Sequence, residues 1–193
     1  MIVVSIENRK LVLQLQAKSL DALGVLYDLH SKMVYRTALA ITGDTEVAAD
    51  LLQDVFLRLF RFAERIDPDR PIEPWLYRIT VNLAYTWLKR RRWQHPIEDF
   101  AEWLAGDGSH QPSQVAENDE EWEEMERAIQ TLPPAQRTVI VLHYINELSL
   151  EEISEILEVP AGTVKSRLHY GRKALRKHMS SEDYVAEAQY EFT

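Results

Sequence analysis

Apolar side chains recur at helical spacing along most of this chain, and one long internal stretch lacks the pattern. The spacing is clear in residues 47–62 and again in residues 150–175. Between them, residues 94–118 hold two prolines and two glycines and show weak periodicity. Because a long aperiodic stretch is uncommon inside a compact domain, we interpret it as a linker. The sequence therefore predicts an all-α fold of two small helical domains joined by a flexible linker.

Capping and turn-forming residues set the expected boundaries of the first domain, residues 19–94. Gly43 is a natural end for one helix, and Asp44 is a natural N-cap for the next. Prolines further along require a loop, and Pro74 suits the first turn of another helix. Residues 1–18 form an N-terminal segment for which the sequence predicts no role.

The second domain is expected to span residues 119–179. Ser149 followed by Glu152 is a capping box, which predicts the start of a short helix. Pro160 marks a turn after that helix, and a longer basic helix follows it. Residues 180–193 form an acidic tail whose role the sequence does not indicate.

Acidic residues are concentrated around the linker. The chain carries 31 Asp and Glu against 22 Lys and Arg, for a net charge of -9. Eleven of the acidic side chains lie between Glu98 and Glu126, where there is no Lys or Arg. The predicted linker, residues 95–118, is therefore acidic, while basic patches occur at residues 89–92 and 161–178. This segregation of charge indicates a polyanionic partner such as nucleic acid.

Composition and motifs exclude several classes of protein. With no cysteine, the chain cannot form disulfides, thiolate metal sites or a cysteine nucleophile. No apolar run reaches the ~20 residues of a membrane span, and no signal-peptide pattern is present, so we expect a soluble, cytoplasmic protein. Nucleotide-binding and hydrolase motifs are absent, and the six histidines lack metal-ligand spacing. We predict no catalytic residue, metal or cofactor.

Residues 149–177 follow the plan of a helix-turn-helix, whose second helix enters the major groove of DNA. Val164 and Leu168 share one face of that helix and are expected to pack against Ile153 and Ile156. The opposite face carries Lys165, Ser166, His169, Tyr170, Arg172, Lys173 and Arg176. Such side chains reach phosphates and base edges. On charge alone a solvated basic helix is an equal alternative, but the turn and the apolar stripe favour DNA binding.

A second polar row lies on the helix that begins at Pro74, opposite an apolar stripe that includes Leu76 and Leu83. The row consists of Arg78, Asn82, Tyr85, Lys89 and Arg92. Cations, an amide and an aromatic ring are groups that hold a nucleic-acid backbone and stack or pair with unstacked bases. Trp75 and Tyr77 lie at the entrance of this helix, where a role in the core is the favoured alternative.

A third surface is predicted on the helix that follows Asp44. Its outward face carries Asp50, Gln53, Asp54, Leu57, Arg58 and Arg61, with Phe56 at the margin. An acidic and amide patch beside a large aromatic ring suits docking of a helix from another protein. Surface carboxylates more often only face water, so this patch alone is weak support for docking.

Together these stretches resemble bacterial RNA polymerase sigma factors of the sigma-70 family, and most of all the compact extracytoplasmic-function (ECF) type. The resemblance covers about residues 20–177. ITGDTEVAADLLQDVFLRLF is similar to the family's polymerase-docking helix, and PWLYRITVNLAYTWLKRRR to its minus-ten recognition and melting helix. LPPAQRTVIVLHYINELSLEEISEILEVPAGTVKSRLHYGRKALRK is similar to its minus-thirty-five domain. Three matches in order are far more specific than a helix-turn-helix alone.

The resemblance implies that the protein binds core RNA polymerase and directs it to promoter DNA without being an enzyme. Contact with the clamp coiled coil of the largest polymerase subunit is implied for Asp50, Gln53, Asp54 and Phe56, and the polymerase flap is a further implied partner. Minus-ten contact is implied for Arg70, Trp75, Arg78, Asn82, Tyr85, Lys89 and Arg92, with residues 66–73 capturing a flipped base. Minus-thirty-five contact is implied for Thr163, Lys165, Ser166, Arg167, His169, Tyr170, Arg172 and Lys173.

The resemblance also implies an inhibitory anti-sigma partner and a path for the acidic linker through the polymerase active-site cleft. The plainer alternative is that its charges only keep the linker solvated. Where the family often has Arg-Ala, this chain has Tyr170-Gly171, and a glycine there is expected to loosen packing in the middle of the helix.

Two other classes stay open on the residues alone. One is a stand-alone helix-turn-helix regulator that binds a two-fold DNA site, with the N-terminal helices as a sensing or dimerising module. The other is a helical nuclease that uses paired carboxylates and a metal, which the scattered histidines make a poor candidate.

Overall fold

The computed structural model describes residues 6–94, 125 and 127–178, and the regular elements of this part of the chain are all helical. The N-terminal half contains α1 (Ile6–Gln16), α2 (Leu20–Thr42), α3 (Thr45–Arg61), a 3₁₀ turn (Ala63–Arg65) and α4 (Glu73–Gln94). The C-terminal half contains α5 (Pro134–Ile140), a π-helical turn (Val141–Ile145), α6 (Leu150–Leu157) and α7 (Ala161–His178). The predicted all-α fold is confirmed. The predicted linker and acidic tail lie outside the described residues.

The turn between α2 and α3 has the predicted caps. Gly43 adopts a left-handed conformation with φ 69°, and its N–H donates to the Leu39 carbonyl at 2.7 Å. The Asp44 carboxylate accepts a hydrogen bond from the Val47 N–H at 3.0 Å. A Cβ atom at position 43 would lie 2.6 Å from the Gln130 side-chain oxygen. The left-handed backbone angle therefore favours glycine, and a side chain here would also force the end of the Gln130 side chain to move.

Helix α1 is an element that the sequence analysis did not predict. Val12 and Leu15 on its inner face are fully buried against the rest of the N-terminal half. The signal in the sequence is short, because Leu11, Val12 and Leu15 are its main apolar residues and the neighbouring Leu13 is exposed. An 11-residue helix of this kind gains its stability from tertiary packing rather than from its own propensity.

The helix-turn-helix has the predicted capping box. The Ser149 hydroxyl accepts from the Glu152 N–H at 3.2 Å, and the Glu152 carboxylate accepts from the Ser149 N–H at 2.9 Å. The Ser149 hydroxyl also donates to the Glu152 carboxylate at 2.8 Å, and the two donors of Ser149 hold the pKa of Glu152 below its usual value of 4.5, with the backbone N–H as the larger cause. Glu158 is the C-cap of α6 and has the left-handed φ of 54°. Helices α6 and α7 are in contact, and Ile153 of α6 and Leu168 of α7 are both buried.

The expectation that Gly171 loosens the packing of α7 is wrong. Gly171 is buried, and a Cβ atom there would lie 2.9 Å from Cγ1 of Ile140. The missing side chain instead lets α7 approach α5 closely, so this glycine tightens the contact between the two helices.

The two halves pack against each other, which the sequence did not predict. Helix α2 contacts α5 and the π-helical turn, and α4 contacts α6. Buried apolar residues of both halves belong to one continuous cluster, which includes Ile41 and Leu76 from one half and Ile140 and Ile153 from the other. The contact between the halves therefore affects which of the predicted binding surfaces are exposed.

Candidate nucleic-acid interface

The outward face of α3 is exposed as predicted. Asp50, Gln53, Asp54, Arg58 and Arg61 are all exposed. The opposite stripe of α3 is buried against α2 and α4. Because the amphipathic pattern fixes which side of α3 is buried, the acidic and amide side chains face outward.

Phe56 does not lie on that surface. Its side chain is only 5% exposed, and its ring packs on Tyr27 with centroids 4.9 Å apart. The neighbouring Leu57 is 65% exposed. The prediction that Phe56 is a contact residue needs correction for this conformation, because the ring fills the gap between α3 and α2. Leu57 is the large apolar side chain that α3 presents outward beside its acidic patch.

Side chains of α1 bind the loop between the 3₁₀ turn and α4. The side-chain amide of Gln16 donates to the Ile66 carbonyl at 2.8 Å and to the Ala63 carbonyl at 3.3 Å. Arg9 pairs with Asp69 at 2.7 Å. Gln16 and Arg9 lie in the N-terminal segment, residues 1–18, for which the sequence predicts no role, so neither support was predicted.

The loop also has internal bonds that shape its tip. The Asp67 carboxylate accepts from the Asp69 N–H at 2.9 Å, as in an Asx turn, and pairs with Arg70 at 3.5 Å. Ile66 and Ile72 are buried at either end. The side chain of Arg70 stays 81% exposed, which leaves this predicted contact residue at the surface of a fixed loop.

The polar row of α4 is partly covered by the C-terminal half. Asn82 and Lys89 are exposed, while Arg78 and Tyr85 are half-buried. Arg78 donates through Nη2 to the Glu155 carbonyl at 2.6 Å and pairs through Nη1 with the Glu158 carboxylate at 2.9 Å. The Tyr85 hydroxyl donates to the Pro134 carbonyl at 3.4 Å. Arg92 belongs to α4, but its side chain lies outside the described residues.

The two aromatic residues at the entrance of α4 face the interior. Tyr77 is buried, and Trp75 is half-buried against the apolar core. Asn146 of the C-terminal half donates to the Thr37 hydroxyl at 3.1 Å. Burial raises the pKa of Tyr77, and the side chain of Asn146 opposes that shift. Tyr77 thus takes part in the contact between the halves.

Arg137 is the most buried cation among the described residues, with 3% of its surface exposed. Its guanidinium donates to the carbonyls of Ile41 at 2.7 Å, Leu132 at 3.1 Å and Gln130. Burial lowers its pKa to about 10, so it stays charged at neutral pH. The Ile41 carbonyl lies at the C-terminal end of α2, where a helix dipole favours a cation. This arginine therefore joins α2 to the C-terminal half.

The outer face of α7 is open to solvent. Lys165, Ser166, His169, Tyr170 and Lys173 are exposed, whereas Thr163, Arg167 and Arg172 are half-buried. The His169 and Tyr170 rings meet edge to face at 5.4 Å. The Ser166 hydroxyl donates to the Thr163 carbonyl at 3.0 Å, which leaves its oxygen able to accept. The residues predicted for duplex DNA are therefore brought together on one helix.

Among residues 6–94 and 127–178, no cluster of three His, Asp or Glu side chains could hold a metal ion. None of the helices described there is both long enough and apolar enough to cross a bilayer.

A helix-turn-helix with an exposed basic recognition face, joined to a second helical body with its own polar row, defines a class of helical DNA-binding proteins. Residues 26–94 match the family description "Sigma-70 region 2", and residues 122–175 match "Sigma-70, region 4". The chain belongs to the ECF RNA polymerase sigma factors of the sigma-70 family, as the sequence analysis predicted.

Individual relatives support this assignment. The chain is 33% identical over 181 residues to the ECF RNA polymerase sigma factor SigW of Bacillus subtilis, covering 89% of this chain and 96% of that one. It is 37% identical over 154 residues to SigE of Mycolicibacterium smegmatis, covering 78% of this chain and 59% of that one. Sigma factors are initiation factors and not enzymes, so the family decides against the nuclease and stand-alone regulator alternatives.

Solved structures show the same fold. CnrH, solved in complex with the cytosolic domain of CnrY, has a TM-score of 0.66 at 22% identity and covers 91% of this chain and 98% of its own. The sigma factor RpoE of Bartonella quintana, solved with the anti-sigma factor NepR, has a TM-score of 0.65 at 20% identity and covers 82% of this chain and 97% of its own. The roles of single residues are not decided by these likenesses.

Proposed function

We propose that this sigma factor divides promoter recognition between its halves while α3 binds core RNA polymerase. The observation that carries the proposal is the segregation of three polar surfaces onto three helices. The stripes that pack α3, α4 and α7 into the protein are buried, and their polar rows lie on the other side. One chain can then contact the polymerase and two promoter elements at once.

The outward face of α3 is our proposed polymerase contact. Asp50, Gln53 and Asp54 offer acceptors that pair with cations and amides of the clamp coiled coil, and such complementarity sets orientation and specificity. Leu57 supplies the apolar contact beside them. In this conformation Phe56 packs on Tyr27 of α2 and so positions α3, and it does not contact the polymerase.

The loop at residues 66–73 and the row on α4 are our proposed minus-ten surface. A loop braced by α1 and by Asp67 can hold an extruded base in a fixed place. Arg70 at its tip and Lys89 along α4 supply cations for the backbone of the opened strand. Trp75 packs against the apolar core but is only half-buried, and the part of its ring that stays accessible can contact an unstacked base.

Helix α7 is our proposed minus-thirty-five reader. Lys165 and His169 lie on its exposed face, four residues apart, at a spacing that follows the major groove. A Cβ atom at Gly162 would meet nothing within 4 Å, so the helix start has room for a phosphate. Each specific base contact of this kind contributes roughly 1–3 kcal/mol of discrimination.

We further propose that the protein works in the cytoplasm under the control of an anti-sigma factor. The two structurally similar sigma factors were each solved with an inhibitory partner or a partner domain. The exposed Leu20, Leu29 and Leu57 give such a partner apolar surface to cover. The proposed path of the acidic linker through the polymerase cleft concerns residues outside the described part of the chain.

Reconstituted transcription tests the proposal. Core RNA polymerase with this protein should initiate at specific promoters, and core enzyme alone should not. Asp54→Ala should weaken association with core, whereas Asn82→Ala should leave association intact and reduce the permanganate reactivity of unpaired minus-ten thymines. Glu151→Ala, which removes a carboxylate from α6, is the control. A neutral Asp54→Ala would mean a different docking face, and loss of core affinity in Asn82→Ala would contradict the division of labour.

A further inference from the structure

We propose that the segment before α2 positions the base-capturing loop relative to the polymerase-docking helix α3, through Lys18, Gln16 and Arg9. This assignment rests on the capture function proposed for residues 66–73 and on the docking proposed for α3. It adds that these three side chains set the place of the captured base without binding the base themselves. All three lie outside the family match for region 2, which begins at residue 26.

Lys18 connects the turn between α1 and α2 to the last turn of α3. Its ammonium donates to the Phe60 carbonyl at 3.3 Å, lies 3.8 Å from the Glu64 carboxylate and lies 5.5 Å from the centre of the Phe60 ring. Carbonyls in the last turn of a helix lack an intrahelical donor, and the helix dipole favours a cation there. The ammonium therefore binds the end of α3, the helix proposed to dock on the polymerase.

Lys18 also has an unusual backbone. Its φ is 64°, a left-handed conformation that suits glycine better than a residue with a side chain. Strained residues of this kind are concentrated at functional positions. Because the turn itself does not require lysine, the contacts with the end of α3 are what this side chain adds.

Gln16 binds the part of the chain that follows α3. Its side-chain Nε2 donates to the Ala63 carbonyl at 3.3 Å and to the Ile66 carbonyl at 2.8 Å, which uses both hydrogens of the amide. The first carbonyl belongs to the 3₁₀ turn, and the second belongs to the first residue of the loop. One half-buried amide thus holds the end of the turn and the start of the loop together.

Arg9 binds the tip of the loop. It lies seven residues before Gln16, about 10 Å back along α1, and its Nε pairs with Asp69 at 2.7 Å. The side chains of this pair are 53% and 69% exposed, so water and salt weaken it and it contributes less than Gln16. Because Val12 and Leu15 are fully buried between these contacts, α1 is a fixed base for both.

The bonds within the loop do not fix its place relative to α3. The Asp69 N–H donates to the Asp67 carboxylate at 2.9 Å, and the Arg70 N–H donates to the Asp67 carbonyl at 3.2 Å. Both bonds shape the tip without attaching it to another element. A site that is already held in its binding geometry loses less free energy to ordering when the base arrives. The contacts from α1 and Lys18 should therefore set how tightly an extruded base is held.

The test removes one donor at a time from the full chain. Gln16→Met keeps the length of the side chain but cannot donate, and Gln14→Met, at an exposed position of the same helix, is its matched control. Lys18→Gly removes the ammonium and relieves the left-handed backbone, so its thermal stability should not fall. Lys18→Arg keeps a cation at this position and should behave as the wild type does.

Order in the loop is read without DNA. Hydrogen exchange of the Asp69 and Arg70 amides, which are both bonded within the tip, should become about threefold to tenfold faster in Gln16→Met. In Gln14→Met it should equal that of the wild type.

Base capture is read with the single-stranded minus-ten segment of a promoter used in reconstituted transcription, and with the same strand carrying an abasic site at each position in turn. The abasic site that weakens wild-type binding most marks the captured base. Gln16→Met should bind the intact strand about threefold to tenfold more weakly, and Lys18→Gly about twofold to threefold. Both should bind the strand that is abasic at the captured position as the wild type does, because the two changes act on the same contact. The affinity of Gln16→Met for core polymerase should stay unchanged.

Three results would overturn the proposal. Unchanged exchange in Gln16→Met would mean that its amide does not order the loop. Equal losses on the intact and abasic strands would mean a general effect on the fold rather than on capture. Wild-type capture in Lys18→Gly, or equal losses in Lys18→Gly and Lys18→Arg, would mean that the cation has no part in positioning. A wild-type protein that tolerates an abasic site at every position would instead contradict the capture function, and this assignment with it, whatever the exchange rates show.

Discussion

The polar rows of α4 and α7 are built alike but differ in how far the folded chain covers them. Both rows lie opposite an apolar stripe that is buried in the protein. On α4, Arg78 and Tyr85 are bonded to the C-terminal half, whereas on α7 Lys165, His169 and Tyr170 are exposed. The difference teaches that a similar sequence pattern can give one accessible surface and one covered surface.

This difference has a consequence for the order of binding. Five of the residues predicted to contact duplex DNA are already exposed on α7. An opened strand can reach the whole of α4 only after Glu158 and Pro134 have moved away. The free protein is therefore expected to bind a minus-thirty-five duplex more readily than a minus-ten single strand.

The largest effect is expected from removing the cation that ties the halves together. Arg137→Ala leaves the carbonyls of Ile41 and Leu132 without their donor and should lower the free energy of unfolding by about 2–4 kcal/mol. Urea unfolding followed by circular dichroism measures it. Arg36→Ala, at an exposed position of α2, should stay within about 0.5 kcal/mol. An equally small effect at Arg137 would mean that α4 is not covered by a stable partner.

A second substitution changes the packing between α7 and α5. Gly171→Ala places a Cβ atom 2.9 Å from Ile140 and should destabilise the protein by about 1–3 kcal/mol through overpacking. Gly24→Ala is the matched control, because a Cβ atom there meets nothing within 4 Å and should stabilise α2 by about 0.5–1 kcal/mol. Thermal unfolding of both variants checks the prediction. Stabilisation by alanine at both positions would show that α7 and α5 are not in close contact.

The third prediction compares the two rows directly. Lys165→Ala should weaken binding to a minus-thirty-five duplex by about 1–2 kcal/mol, and a phosphate contact would also reduce the slope against log salt by about 1. Asn82→Ala should leave the affinity for this duplex unchanged, since its side chain lies on α4. Fluorescence anisotropy at several salt concentrations measures both. Loss of duplex affinity in Asn82→Ala would remove the distinction between the rows.

The smallest effect is expected at the start of α6, the helix that covers Arg78. Glu152→Gln loses the charged half of the capping box and should destabilise the protein by about 0.5–1 kcal/mol near neutral pH. Because folding lowers the pKa of Glu152, its stabilising contribution is complete above its usual value of 4.5 and is lost as the pH falls through the folded value. The difference between wild type and variant should therefore shrink on acidification, as urea unfolding at about pH 7 and about pH 3 would show. A constant difference would argue against the carboxylate as the cause.

Features set by neighbours in the chain were predictable from the sequence. Gly43, Asp44 and the Ser149 capping box are helix caps that bond to backbone groups within a few residues. The residue types at these positions are therefore enough to predict the helix ends. The outward faces of α3 and α7 follow from apolar periodicity in the same way. The family could be identified because three such stretches occur in the right order.

Features set by contacts between distant residues were not predictable. Phe56 and Leu57 are adjacent, and only the position of Tyr27 decides which of them is buried. The effect of Gly171 depends on Ile140, and the partner of Arg78 lies about 80 residues away. No sequence pattern predicts the roles of Gln130 and Asn146, because the carbonyl and the hydroxyl that they bind belong to the other half of the protein.

The brace that Gln16 supplies to the carbonyls of Ala63 and Ile66 bears on how shortened versions of this sigma factor should be made. The family match for region 2 begins at residue 26, so a fragment cut at that boundary would lack α1 altogether. Such a fragment would keep α3, the proposed docking helix, but would lack the side chains that support the loop at residues 66–73, which we propose captures a base. The affinity of such a fragment for polymerase should equal that of the full chain. Its affinity for opened DNA should be lower than that of the full chain.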